Sequence, residues 1–182
     1  MADITHEQMT VEEFLNLPES NQIIQLIHGE VMMSPAPSDL HQRLVGAIYI
    51  FLKQVLPGGA LRMAPLDVHI DDAEVVQPDV FWVSEDNDQC VLIEGKYWRG
   101  APDLIIEVLS PSTAQLDQGE KFDLYEKNGV KGYWLVDQAL FMQVYRLEDG
   151  KFVRQGVFGL DQTFSIQVAG DLEIDVRKLL GQ

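Results

Sequence analysis

Apolar residues recur along this chain in two periods, and the switches between them outline its elements. Leu40, Leu44, Ala47, Ile48, Phe51 and Leu52 repeat at helical spacing and predict a long helix running to about Val55. Ser38 and Asp39 are placed to cap it, and Pro57-Gly58-Gly59 would end it. Upstream, Thr10 with Glu13 three residues later reads as a capping box for a short helix to about Leu17, stopped near Pro18. Residues 22–27 and 30–33 read as a hairpin with Gly29 in its turn, followed by a rigid Ser34-Pro-Ala-Pro-Ser connector.

The next segment changes to strand character. Residues 60–70 predict one strand with Asp71-Asp72 as its turn. Residues 75–83 predict another, interrupted at Pro78, which fits an edge, a bulge or a strand end. Residues 84–100 are polar and read as loop. Residues 103–109 (Asp-Leu-Ile-Ile-Glu-Val-Leu) are nearly continuously apolar, which implies a central strand covered on both faces. Asp117 with Glu120 would cap the following helix, on one face of which Asp117, Lys121 and Tyr125 recur at i, i+4 and i+8. Gly129 would stop it. Residues 130–137 return as a strand, and residues 140–145 with 151–158 close as a hairpin around Asp149-Gly150. Residues 172–180 carry no firm signal. The order helix, three strands, helix, strand predicts an α/β fold, an αβββαβ core with a mixed sheet flanked by helices, in a single domain over residues 1–182.

Composition narrows the function classes. No segment reaches the ~20 apolar residues that cross a bilayer, so no membrane partner is expected. Residues 1–7 lack the positive and apolar regions of a secretory signal. The lone Cys90 excludes an intrachain disulfide and a cysteine-based zinc site. A cytoplasmic protein is the expectation. The formal net charge of -16, from 13 basic and 29 acidic residues, argues against DNA as a partner unless a local patch and a metal offset the repulsion. The same acidity equally serves as a solubilising surface.

Against that background two carboxylates stand out. Asp79 and Glu107 each sit inside an apolar strand-like run, where an ionised group is costly unless paired or metal-bound. If their strands are neighbours, the two side chains converge, and two carboxylates with waters and a phosphate oxygen make a Mg²⁺ shell. A purely structural alternative has Asp79 capping a bulge after Pro78 and Glu107 pairing with Lys121. Glu30, after Gly29, either completes the acidic cluster or is an exposed strand glutamate. His41 reads first as a local hydrogen-bonding residue at a helix start, and as a contact to phosphate or metal second. Gln77 either meets a ligand or ties the backbone at the Pro78 break. Tyr125 is expected to pack its ring between helix and sheet, and Trp82, Trp98 and Trp134 to be core aromatics. No Gly-rich phosphate loop is present.

Taken together, Gln77-Pro78-Asp79-Val80, Asp103-Leu-Ile-Ile-Glu107-Val-Leu-Ser110-Pro-Ser-Thr113, then Asp117, Lys121, Tyr125, Gly129-Val130 and Tyr133-Trp134-Leu-Val-Asp137 resemble the Uma-two family, also called domain of unknown function 820. Ile27-His28-Gly29-Glu30-Val31 and His41 resemble its opening, so the likeness covers roughly residues 10 to 145. The resemblance implies a restriction endonuclease-like domain of the PD-(D/E)XK nuclease superfamily. Pro78-Asp79 would be the PD element and Glu107 the D/E position. The lysine expected two residues later is missing, because position 109 is Leu, and Lys121 is the residue placed to replace it. The implied catalytic set is Asp79, Glu107, Lys121 and Glu30, with Asp79 and Glu107 holding Mg²⁺ or Mn²⁺. Such folds often act in pairs, so a homodimer is expected, with Leu140, Phe141 and Val144 of the closing hairpin as a contact surface.

Three functions fit these readings. One is a metal-dependent nuclease acting on DNA. A second is a non-catalytic protein of the same fold that binds nucleic acid or a protein partner. A third is a metal-dependent hydrolase of a small phosphorylated molecule, which tolerates the acidic surface best.

Overall fold

A computed structural model describes residues 8–18 and 23–182 of the chain. The capping box forms: Thr10 Oγ1 accepts the Glu13 N–H at 3.2 Å while the Glu13 carboxylate accepts the Thr10 N–H at 2.8 Å. It opens α1 (Val11–Leu15). Strands β1 (Ile23–Ile27) and β2 (Glu30–Ser34) follow. His28 and Gly29 between them both have positive φ, as a two-residue hairpin turn requires. Residues 1–7, read for a signal segment, and Gln22, read as strand, lie outside the described residues. Helix α2 (Asp39–Val55) starts where the Ser38 hydroxyl accepts the His41 N–H at 3.2 Å.

The two strands expected over 60–70 and 75–83 are each split, and each is divided between two sheets. The pieces are β3 (Ala60–Met63), β4 (Val68–His69), β5 (Val75–Val76) and β6 (Val80–Val83). β3 pairs with β6 in the central sheet, and β4 pairs with β5 in an outer one. Pro65 and Pro78, which have no N–H to give a ladder, stand where the chain leaves one sheet for the other. Residues 84–100 are not loop throughout. They contain a hairpin of β7 (Val91–Ile93) and β8 (Tyr97–Arg99), turned at Glu94 and Gly95, both with positive φ. Val91 and Leu92 are exposed, so no buried alternation announces it.

Strand β9 (Leu104–Val108) is buried at every position. One helix was expected after it; there are two, α3 (Ala114–Gln118) and α4 (Glu120–Lys127), broken at Gly119. Asp117 caps neither, because it lies inside α3 and is buried. Then come β10 (Gly132–Val136), β11 (Met142–Glu148) and β12 (Lys151–Phe158), the last two joined by Asp149-Gly150, both with positive φ. The unassigned C-terminal region supplies half of a small ribbon, β13 (Thr163–Ile166) with β14 (Leu172–Asp175), and α5 (Val176–Leu179).

The central sheet runs β12-β11-β10-β9-β6-β3. It is mixed: β9 and β10 are parallel and its other pairs antiparallel. The elements α2, β3, β6, β9, α4 and β10 give the αβββαβ core in chain order. Leu104, Ile106 and Val108 turn to one face, packed with α2, α5 and the ribbon. Ile105 and Leu109 turn to the other, packed with α4 and the outer sheet β2-β1-β5-β4-β8-β7. Alternation therefore puts Glu107 on the α4 face. Val144, expected on a contact surface, is buried in the core, and of its trio only Phe141 is exposed. No helix among the described residues is long and apolar enough to cross a membrane.

Candidate active site

The site lies where β6 and β9 part. Val80 is paired with Ile106, so the next step along each strand brings Asp79 toward Glu107. Pro78 turns the chain into the central sheet immediately before Asp79, and the described ladder between β6 and β9 ends at Val80 and Ile106. Side chains take over instead. The Asp79 N–H donates to Glu107 Oε2 at 3.2 Å, and the Val108 N–H donates to Asp79 Oδ2 at 2.8 Å. From α4, Lys121 Nζ donates to Glu107 Oε1 at 2.9 Å and the Tyr125 hydroxyl donates to the same oxygen at 3.0 Å. Lys121 Nζ also lies 3.1 Å from Asp117 Oδ1, an ion contact without hydrogen-bond geometry. The Tyr133 hydroxyl donates to the Asp117 carbonyl at 2.9 Å and ties α3 to β10. From the start of α2, His41 Nε2 lies 3.1 Å from Asp79 Oδ2.

Glu107, Asp117 and Lys121 are all buried, at 2%, 2% and 4% exposure, whereas Asp79 is only partly covered. Burial acts most strongly on Glu107 and pushes its carboxyl up to about 8, with Lys121 opposing and Asp117 and Asp79 adding to the rise. Burial pulls Lys121 the other way, but the Glu107 and Asp117 charges outweigh it and its pKa is raised. Lys121 therefore stays protonated, and Glu107 is the group whose charge is disfavoured. Desolvation depresses His41, yet Asp79 and Glu107 together raise it.

These groups open into a cleft of about 350 Å³. The Ser34–Ser38 connector, residues 110–113, Gln25, Gln77 and Gln138 line it. Asp79, Glu107 and Lys121, singled out from the sequence, all line it. Glu30 does not. It is exposed at the turn end of the hairpin, while the cleft meets the open end at Ile23 and Ser34. Four residues of strand separate Glu30 from Ser34, roughly 13 Å. His41 and Gln77, ranked behind these residues, are lining residues too. One role went unread: Tyr125 does pack in the core but also donates to Glu107. Asp117 caps no helix and instead faces Lys121, the i, i+4 pairing that the spacing offered as an alternative. The i, i+4, i+8 spacing contained that signal, since it put all three on one face.

The profile of the Uma2 family, described as putative restriction endonuclease, matches residues 11–177. The chain belongs to the Uma2 family. A crystal structure of a putative nuclease belonging to DUF820 from Anabaena variabilis ATCC 29413 matches with a TM-score of 0.72, over 95% of this chain and 98% of that one. At 24% identity it shares the fold. No curated protein matches the sequence.

The resemblance to nuclease folds implies a divalent metal, and the donors present here can be compared with what such an ion needs. Among the described residues no group of three or more His, Cys, Asp or Glu is arranged to hold one. A closed zinc-type shell calls for such a group. Mg²⁺ asks for less: one or two carboxylates, with water and substrate oxygens completing the octahedron. Asp79 and Glu107 offer carboxylate oxygens on neighbouring residues, joined through the Asp79 N–H, and Asp79 Oδ1 takes no hydrogen bond from the described residues. The donor set fits Mg²⁺ or Mn²⁺ in this limited way.

Proposed function

We propose that this Uma2 chain hydrolyses phosphodiester bonds in the cleft, with Asp79 and Glu107 holding Mg²⁺ or Mn²⁺. The observation that carries the reading is the meeting of Asp79, Glu107 and Lys121 at one open strand end, from three separate elements. Position 109, where the superfamily lysine would stand, holds a Leu packed in the core. Lys121 brings an ammonium to the same Glu107 from α4. A bound divalent ion supplies Lewis acidity to a phosphoryl oxygen and acidifies water. In the hydrolysis, a water oxygen bonds to phosphorus and one ester P–O bond breaks. The alcohol leaves with one proton, and the phosphomonoester keeps the new oxygen. Lys121 fixes Glu107 and adds positive charge beside the phosphate, and His41 fixes Asp79. Removing charge stabilisation of this kind costs about 10²–10³ in rate.

The test is hydrolysis of bis(p-nitrophenyl) phosphate with Mg²⁺ or Mn²⁺ by the wild type and by Asp79→Asn. Metal-dependent turnover that falls at least about 10²-fold in the variant is the expected result. A second reading has its own support, since Glu107 is buried and already accepts from Lys121, Tyr125 and the Asp79 N–H. Such a group serves equally as a strut in a non-catalytic binding protein. No hydrolysis of any phosphodiester with any divalent metal would leave that reading standing. A homodimer is proposed as well, and a monomeric mass by light scattering across concentration would end that proposal.

A further inference from the structure

The positive charge of this chain is placed away from the cleft. None of its lysines or arginines falls outside the described residues. Of the 13, at least nine lie against a carboxylate of the chain itself, among them Arg99 on Asp72, Lys131 on Asp103 and Lys151 on Glu126. Lys121 is the one lysine or arginine that lines the cleft, and it is buried against Glu107 and Asp117. A protein that tracks a duplex neutralises many phosphates, commonly ~6–10, and needs a basic surface to do so. Here the walls offer hydroxyls and amides instead.

One of those amides points to the ligand's chemistry. Gln77 Nε2 is committed to Asp67 Oδ1 at 2.6 Å, which leaves Gln77 Oε1 toward its own partner, and that oxygen is buried with none among the described residues. An acceptor oxygen cannot bind a phosphate oxygen. It needs an N–H or O–H donor, as an unpaired base or a sugar hydroxyl presents. In a duplex the base donors on the pairing edge are already used. A cleft of about 350 Å³ is also at the small end for ligand pockets, nucleotide-sized rather than duplex-sized.

We infer that the cleft takes one phosphodiester flanked by an unpaired nucleoside, from a single strand, a strand end or a free dinucleotide, and not the interior of a duplex. The inference rests on the phosphodiesterase reading above. The nucleoside is met by Gln77 and the single phosphate by the metal-bearing carboxylates with Lys121.

The experiment measures metal-dependent hydrolysis by the full chain of four probes: bis(p-nitrophenyl) phosphate, the dinucleotide TpT, single-stranded oligo(dT) and a long linear duplex. Each is followed from 50 to 200 mM salt. The expected result is hydrolysis of TpT or oligo(dT) at least tenfold more efficient than of internal duplex bonds. Its kcat/KM should fall by no more than about tenfold across the salt range, the response of one or two phosphate contacts. Preference for TpT over oligo(dT) assigns the free dinucleotide, and the reverse assigns the strand. Gln77→Leu should raise KM for TpT by a larger factor than KM for bis(p-nitrophenyl) phosphate, which has no nucleoside. Duplex cleavage at equal or better efficiency, or a salt loss of about 10³ or more, overturns the inference while leaving the phosphodiesterase reading intact. Hydrolysis of none of the four probes overturns both.

Discussion

The two ends of β9 carry the same chemistry to opposite effect. At one end Asp103, 1% exposed, accepts from Lys131 Nζ at 2.6 Å, the Ser84 N–H at 2.8 Å and Asn87 Nδ2 at 2.8 Å. At the other end Glu107, equally buried, accepts from Lys121, Tyr125 and the Asp79 N–H. Burial pushes both carboxyls up, yet Lys131, the Ser84 N–H and Asn87 outweigh it and hold Asp103 below its ordinary value, while Glu107 rises to about 8. The difference is company. Asp103 shares its lysine with no other acid in contact, whereas Glu107 shares Lys121 with Asp117 and stands beside Asp79. One end is a closed clamp holding the 84–87 loop to the sheet. The other shares one lysine among more acids and opens into a cleft, where a perturbed acid is a functional-site candidate.

Exchanging the carboxyls for amides breaks the comparison most sharply. Glu107→Gln should reduce metal-dependent phosphodiester hydrolysis by about 10²–10³, and Asp103→Asn should leave it within about threefold once folding is matched. Steady-state kinetics with circular dichroism as the folding control reads both.

Stability gives the next largest contrast. Lys121 is buried at 4% exposure, so its removal is costly. Its loss strands Glu107 and Asp117 without a cation and should cost about 3–5 kcal/mol. Asp103→Ala instead orphans the Ser84 N–H and the Asn87 amide and should cost about 2–4 kcal/mol. Urea unfolding curves measure both, and Lys121→Arg should recover part of the first loss.

The pH response is the smallest effect and has opposite signs at the two ends. Asp103 has a lowered folded pKa, so its contribution is present above the ordinary 3.8 and is lost as pH falls through the folded value. Glu107 has a raised one, so its contribution is present below 4.5 and is lost as pH rises toward about 8. Without added metal, Tm of the wild type should therefore decline from pH 5 to 8, and Glu107→Gln should flatten that decline. His41, also raised, adds a slope of the same sign that the variant retains. An unchanged slope in Glu107→Gln would contradict the assignment.

Where a sequence signal was local, the fold could be read from it. The capping box at Thr10, the period of α2, the two-residue turns at His28-Gly29 and Asp149-Gly150 and the apolar run of β9 all appear where the pattern puts them. The strand over 60–70 was misread because strand propensity continues through Pro65, and over 75–83 the break at Pro78 was legible but the change of partner sheet was not, since a partner is a long-range fact. That same change of sheet sets Asp79 at a corner. Asp79, Glu107 and Lys121 were legible as acids in apolar runs and a lysine one connector away. Glu30 was misplaced because the turn was right but the cleft opens at the hairpin's other end. The spacing put Asp117, Lys121 and Tyr125 on one face, but that this face meets Glu107 depends on how α4 docks over β9.

The central claim is that the Glu107 end of β9 is a divalent-metal site built on Asp79 and Glu107. Isothermal titration calorimetry of Mn²⁺ into the wild type and into an Asp79→Ala, Glu107→Ala double variant, with circular dichroism confirming that both are folded, tests it most directly. The wild type should show saturable binding that is lost in the double variant. Equal Mn²⁺ affinity in the two proteins would contradict the claim.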